Sequence, residues 1–180
     1  MVAAKSHVLK AERNNRVIKE RIRCAYHNLN YKNVPKTVLI YMVQKSANKL
    51  NYFPARDGVS PAYSPHMIIH KRNIDYVTHG LHYTGKYILG HQDVTIKNNL
   101  QPRALDCIYL RPSAIIHDKH ELYHIETRKI ITRRHCTSAI MNENIKTKIH
   151  KTFITDNLPT GLKFHLDNTD NLTGYGNKRN

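Results

Sequence analysis

The chain predicts an α+β fold in which two helices lead into a small β unit. Three observations carry this expectation. Val8, Ala11, Asn15, Ile18, Ile22, Ala25 and Leu29 recur at alternating steps of three and four, the spacing of one helix face. Val38, Leu39, Met42, Val43, Ala47 and Leu50 repeat the pattern behind Pro35. Between Thr84 and Arg134 several short runs are rich in strand-forming residues and two of them alternate. They are too few for a sandwich and suit a small barrel.

The first helix spans about six turns, and Asn15 is the one polar intrusion on its apolar face. Asn30–Val34 reads as a loop. Pro35 opens the second helix where its missing N–H costs nothing. Two helices joined this tightly form an αα-hairpin. Pro54, Gly58, Pro61 and Pro65 punctuate the next stretch, with one short helical turn over Pro65–His70. Thr84–His91 reads as a strand, Asp93–Pro102 as a polar connector, and Leu105–Leu110 as a second strand. Glu121–Ile125 alternates, Glu126-Thr127-Arg128 turns, and Lys129–Arg134 alternates again, which is a β-hairpin pattern. Residues 142–156 read as a weak helix, and the Asn-, Thr-, Gly- and Lys-rich stretch after Leu158 as disordered. The expected organisation is helices over 1–50, a Pro-rich linker over 51–83, the β unit over 84–141 and a tail over 142–180. A two-helix hairpin plus a half-barrel makes a thin core for 180 residues.

Charge narrows the function. The chain carries 29 Lys and Arg against 13 Asp and Glu, a formal +16. Residues 1–49 hold 11 of those cations and 2 of the anions, so over half the excess lies in the first quarter. Such a field favours phosphate backbones through counterion release and steers them in quickly. The sequence contains no run of 18 apolar residues, so no membrane-spanning helix is expected, and its start lacks the apolar core of a secretory signal. Cys24, Cys107 and Cys136 lie far apart with no CxxC spacing, which reads as reduced intracellular thiols. Glu12, Arg16, Lys19 and Arg23 share one helical stripe bordering the apolar face, which would leave Glu12 partly sheltered. Glu12 then either pairs with Arg16 four residues on or serves a metal beside a polyanion. Arg128, Lys129, Arg133 and Arg134 flank the closing hairpin. They suit backbone contacts to DNA without base readout, or equally a solvated edge kept from aggregating. His66/His70 and His117/His120/His124 have spacings compatible with zinc, without the CxxC that usually accompanies them; the bland alternative is scattered surface histidines.

The order of these pieces resembles the C-terminal half of integrases from copia-type retrotransposon polyproteins, over about residues 5–141. His7-Val8-Leu9-Lys10-Ala11-Glu12-Arg13-Asn14-Asn15-Arg16 is similar to the last helix of the catalytic core, where the family carries a small residue, Glu, Arg and a further Arg. Ser60-Pro61-Ala62-Tyr63-Ser64-Pro65-His66-Met67 resembles the Pro-containing segment after the core, and Tyr83-Thr84-Gly85-Lys86-Tyr87-Ile88 the aromatic-Gly strand entry. Cys107-Ile108-Tyr109-Leu110 and the stretch from Tyr123 to Arg134 resemble the following strand and the closing hairpin. Arg111-Pro112 stands where the family has a Gly-aromatic pair, and His135 where it has an acidic residue. The resemblance implies a ribonuclease H-like core ending in the αα-hairpin, then a small Src-homology-three-like barrel.

It further implies metal-dependent strand transfer on DNA, joining element ends to target DNA. Two Mg²⁺ ions would be held by an Asp-Asp-Glu triad. Glu12 matches the last member of that triad, and Arg13, Arg16, Lys19 and Arg23 would face phosphate. Both aspartates should precede Glu12, whereas Asp57, Asp75 and Asp93 follow it. The chain alone is therefore expected to be catalytically inactive and to retain DNA binding, in the nucleus if it serves as an integrase. A homo-oligomer is compatible with the family. The alternative is a non-enzymatic basic nucleic-acid-binding protein without integrase ancestry.

Overall fold

The computed structural model describes residues 2–54, 58–71, 73–74, 76–92, 102–113 and 119–156. Helix α1 (Val2–His27) contains neither Pro nor Gly, so nothing in it interrupts the backbone ladder. Beyond its end Asn33 adopts a left-handed φ of 64°, and Tyr31 and Val34 are buried in the loop. Helix α2 (Lys36–Asn48) begins one residue later than the sequence suggests, with Pro35 as its N-cap. The Lys36 N–H donates to the Asp156 carboxylate at 2.9 Å, across 120 residues of chain. An anion at that position satisfies an orphan amide and complements the helix dipole. A 3-10 turn (Lys49–Tyr52) follows.

Helix α3 (Pro65–His70) is the short turn expected, capped where the Met67 N–H donates to Ser64 Oγ at 3.2 Å. Helix α4 (Tyr76–Gly80) was not anticipated. The connector expected over Asp93–Pro102 falls almost wholly outside the described residues, as does the disorder expected beyond Leu158.

Five antiparallel strands follow: β1 (Tyr87–His91), β2 (Ala104–Pro112), β3 (His120–His124), β4 (Ile130–Arg133) and β5 (Cys136–Ser138). Their order in the sheet is β4-β3-β2-β1-β5. The strands read from the sequence all exist, with β1 starting three residues later than expected. The sequence reading missed β5, a three-residue strand with no alternation of its own.

Strands β4 and β5 lie on opposite edges of the sheet, yet only Arg134 and His135 separate them. Three Cα–Cα steps reach about 11 Å, whereas the edges of a flat five-stranded sheet stand about 19 Å apart. The sheet therefore curls upon itself. Two observations fit this: the His91 N–H at the end of β1 donates to the His135 carbonyl at 3.0 Å, and the Arg133 Cγ stands 3.6 Å from where a Cβ on Gly90 would sit.

Curling gives the sheet two covered faces. Ile88, Cys107, Tyr109 and Leu122 fill the concave face and are wholly buried. There burial pushes the Cys107 thiol up to about 12. Gly90 leaves room for this cluster, since a side chain there would come within 2.8 Å of Leu122 Cδ1. The convex face carries Tyr87, Ile108, Leu110 and Tyr123, against which Tyr26, Val38, Leu39 and Met42 of the helices pack. The unbroken run Cys107–Leu110 is thus apolar because its residues alternate between two interiors.

The thin core expected from the sequence is thickened from the far end of the chain. Helix α5 (Glu143–Thr155) starts at Asn142, whose Oδ1 accepts from the Ile145 N–H at 3.0 Å. It brings Ile145 and Ile149 into the same cluster as α2 and the strands. One core therefore draws on residues 1–50, 84–141 and 142–156 together. A polar clasp ties α2 to the sheet as well. Tyr41 donates to Glu121 at 3.1 Å, Arg111 donates to the same carboxylate at 2.9 Å, and the Arg111 guanidinium lies 4.9 Å over the Tyr41 ring.

Gly85 joins these layers. Its φ is 93°, its N–H donates to the Tyr109 carbonyl at 2.8 Å, and a Cβ there would stand 2.5 Å from Leu29 Cδ2. Gly85→Ala is expected to lower unfolding stability by about 1–3 kcal/mol in a urea titration. Gly80→Ala, with nothing within 4 Å of its Cβ, should lose none. Equal stability of the two variants would show that the α1–β1 junction adapts freely.

Candidate nucleic-acid interface

Ala11–Arg16 of α1 are all exposed, as are Lys19, Glu20 and Arg23. Ile18 and Ile22 are half-buried, and among the described side chains of the helix Tyr26 alone is fully buried, with Ala25 packed beside it. This corrects two expectations. Glu12 is exposed and not sheltered at a rim, because the helix runs past the layer it packs on. Ala11 and Asn15 on the supposed apolar face are exposed too. The ion pair the sequence suggested between Glu12 and Arg16 is replaced by another: Arg16 Nε meets Glu20 at 3.1 Å. Glu20 stands four residues after Arg16, the same spacing that separates Arg16 from Glu12. At 82% and 53% side-chain exposure the pair is a minor term. Arg13, Lys19 and Arg23 remain exposed on the helix.

The hairpin cations divide differently. Arg128 and Lys129 are exposed at the turn, where Arg128 takes a left-handed φ of 58°. Its N–H donates to the His124 carbonyl at 2.9 Å, and His124 Nδ1 lies 2.7 Å from Thr127 Oγ1. Arg134 is exposed in the link between the sheet edges. Arg133 is half-buried beside Gly90 and donates to the Thr132 carbonyl at 2.9 Å, so part of its role is to cover the end of the concave core.

A cleft of about 570 Å³ opens between α1, α2 and the entry to β1. Arg21 and Cys24 line it from α1, Met42 and Lys45 from α2, and Phe53 and Tyr83 from the loops. Lys45 is half-buried there. Its ammonium donates to the His82 carbonyl at 3.2 Å and lies 5.3 Å over the Tyr109 ring. Burial, reinforced by Lys49, lowers its pKa to about 8. No carboxylate among the described residues forms an ion pair with it. Sequence reading passed over Lys45, since one Lys on an apolar-faced helix carries no distinguishing pattern.

Among the described residues no group of three or more His, Cys, Asp and Glu is arranged to hold a metal ion. The His66 and His70 rings lie 4.5 Å apart between centroids, tilted by 44°. His120 and His124 are buried in β3, and His117 lies outside the described residues. Glu12 by itself does not fit a two-metal site. Cys24, Cys107 and Cys136 are free thiols. No helix among the described residues is long and apolar enough to cross a membrane. No protein-family model, curated protein or solved structure matches this chain.

Lys45→Met keeps the stem and removes an unpaired, half-buried charge. Its unfolding midpoint at pH 7 is expected to equal or slightly exceed that of the parent, by about 1 kcal/mol or less. The lowered pKa fixes how this varies with pH. Between about 8 and the unfolded value near 10.4 the unfolded chain holds more protons at Lys45 than the folded one, so the parent gains stability from this group as pH rises. Any advantage of the variant should therefore shrink between pH 7 and pH 10 in paired urea titrations. An advantage that grows would mean that Lys45 is held charged.

Proposed function

We propose that the chain is a DNA-binding protein that works through charge, and that it derives from the C-terminal part of a copia-type integrase. The observation that carries the binding reading is the exposed face of α1, where Arg13, Lys19 and Arg23 stand clear of the core. Cations with no packing role lose little on meeting a phosphate backbone, and each phosphate neutralised releases counterions. Arg128, Lys129 and Arg134 extend the same sign of charge to the sheet. Contacts of this kind position a duplex without reading its bases.

The ancestry rests on the motif order, with the αα-hairpin as the end of a ribonuclease H-like core and the curled sheet as the Src-homology-three-like barrel. Five antiparallel strands with a two-residue link between the edges are compatible with such a barrel. Strand transfer is not part of the proposal, since among the described residues no group of three or more His, Cys, Asp and Glu is arranged to hold a metal ion. A second reading, a basic nucleic-acid-binding protein of separate origin, is favoured by one observation: helices and sheet share a single core and are not two units on a linker. In-frame sequence upstream of Met1 encoding an Asp-bearing ribonuclease H-like segment would favour integrase descent, and unrelated genes on both sides would overturn it.

Binding to a duplex of random sequence, followed over salt, should weaken log-linearly with little sequence preference. Arg13→Ala with Lys19→Ala should reduce the slope by about two. Glu12→Gln should leave affinity equal or higher. A slope near zero would remove nucleic acid as the partner.

A further inference from the structure

We propose that the cleft between α1 and α2 seats one unpaired nucleotide of a nucleic-acid strand, its phosphate against Lys45, Lys49 and Arg21 and its base against Phe53 and Tyr83. The inference rests on the nucleic-acid reading above and gives it a second, chemically distinct site. The volume, about 570 Å³, lies within the range of small-ligand pockets. Three cations line it against one carboxylate, Glu20, which Arg16 already engages from the solvent side.

Lys45 meets a carbonyl and a π face but no anion among the described residues. A half-buried ammonium in that state gains most from a phosphate that brings a full negative charge to it. Val17, Ala25 and Met42 line it beside Asn28, Ser46 and Thr84, and two aromatic rings stand at its edge. Phe53 is 55% and Tyr83 44% exposed; Phe53 stacks on Tyr76 at 6.4 Å between centroids and the Lys86 ammonium lies 5.9 Å from the Tyr83 ring, which leaves each ring area to offer a base. Stacking on such rings is how strands are held without base readout. A base inside a duplex has both faces stacked on its neighbours, so the cleft selects single-stranded over duplex nucleic acid.

Cys24 lies in the wall of the cleft and is exposed, while burial raises the thiol pKa of both Cys107 and Cys136. Its alkylation by N-ethylmaleimide at pH 7, read by peptide mass spectrometry on the full chain, therefore reports occupancy. A 5′-phosphorylated oligothymidylate is expected to slow alkylation at least 10-fold. A blunt duplex of equal length, adenosine and inorganic phosphate should each change it less than twofold at the same concentration. Thymidine monophosphate should protect more weakly than the oligomer; protection as tight as the oligomer's would assign the cleft to a free nucleotide and overturn the strand assignment. Lys45→Met and, as a second variant on an exposed residue, Lys49→Gln should each weaken protection by the oligomer at least fivefold. Duplex binding with no protection of Cys24 by the oligomer would overturn this inference and leave the reading of the α1 face intact. Loss of all nucleic-acid binding would overturn both.

Discussion

Everything else in this fold depends on the shortness of the link between β4 and β5. Two residues must carry the chain from one edge of a five-stranded sheet to the other. That requirement curls the sheet, and the curl turns one face into an interior. Cys107, Tyr109, Ile88 and Leu122 are dry because of it. The opposite face, now convex, presents a second apolar surface that the strands cannot cover. The helices are the answer to that second surface, which makes them part of the sheet's stability.

Seen this way, the division of α1 into two parts has a cause. Its C-terminal end at Tyr26 lies on the convex face, but the sheet is too narrow to occupy the whole of a 26-residue helix. The remainder extends past it and offers cations to solvent. The same overhang leaves a gap beside α2, where Lys45 sits half-buried. Exposed cations and a sheltered one therefore arise from one geometric mismatch between a long helix and a small sheet, and they differ chemically because only the second has been partly stripped of water.

Much of the element order was legible in the sequence. The 3.6-residue spacing found α1 and α2, and alternation found β3 and β4. Two kinds of information were not legible. Strand β5 is three residues long, and its pairing with β1 follows from the curl and not from any local pattern. The sharing of one core by residues 1–50 and 142–156 depends on contacts between segments more than 100 residues apart. Here Asp156 and Ile149 look like ordinary members of a weak helix. The charge on the helix surface was legible, as with Arg13 and Lys19, which are exposed. Glu12 was misplaced because an apolar stripe shows which face tends inward, not how far along the helix a partner extends. Lys45 was missed because burial is set by neighbours in space.

The bond from Asp156 to the first amide of α2 has a temporal side. During synthesis α2 emerges early, yet the acceptor for its leading amide is 120 residues further along. The convex face of the sheet likewise waits for Ile145 and Ile149. Until α5 leaves the ribosome, the half-made protein presents an uncapped helix and an open apolar surface, although the αα-hairpin and the neighbouring strands can already meet. Local pairing can therefore precede completion of the core, and the unfinished chain, more than the finished one, is the form that solvent and other proteins encounter with its interior showing.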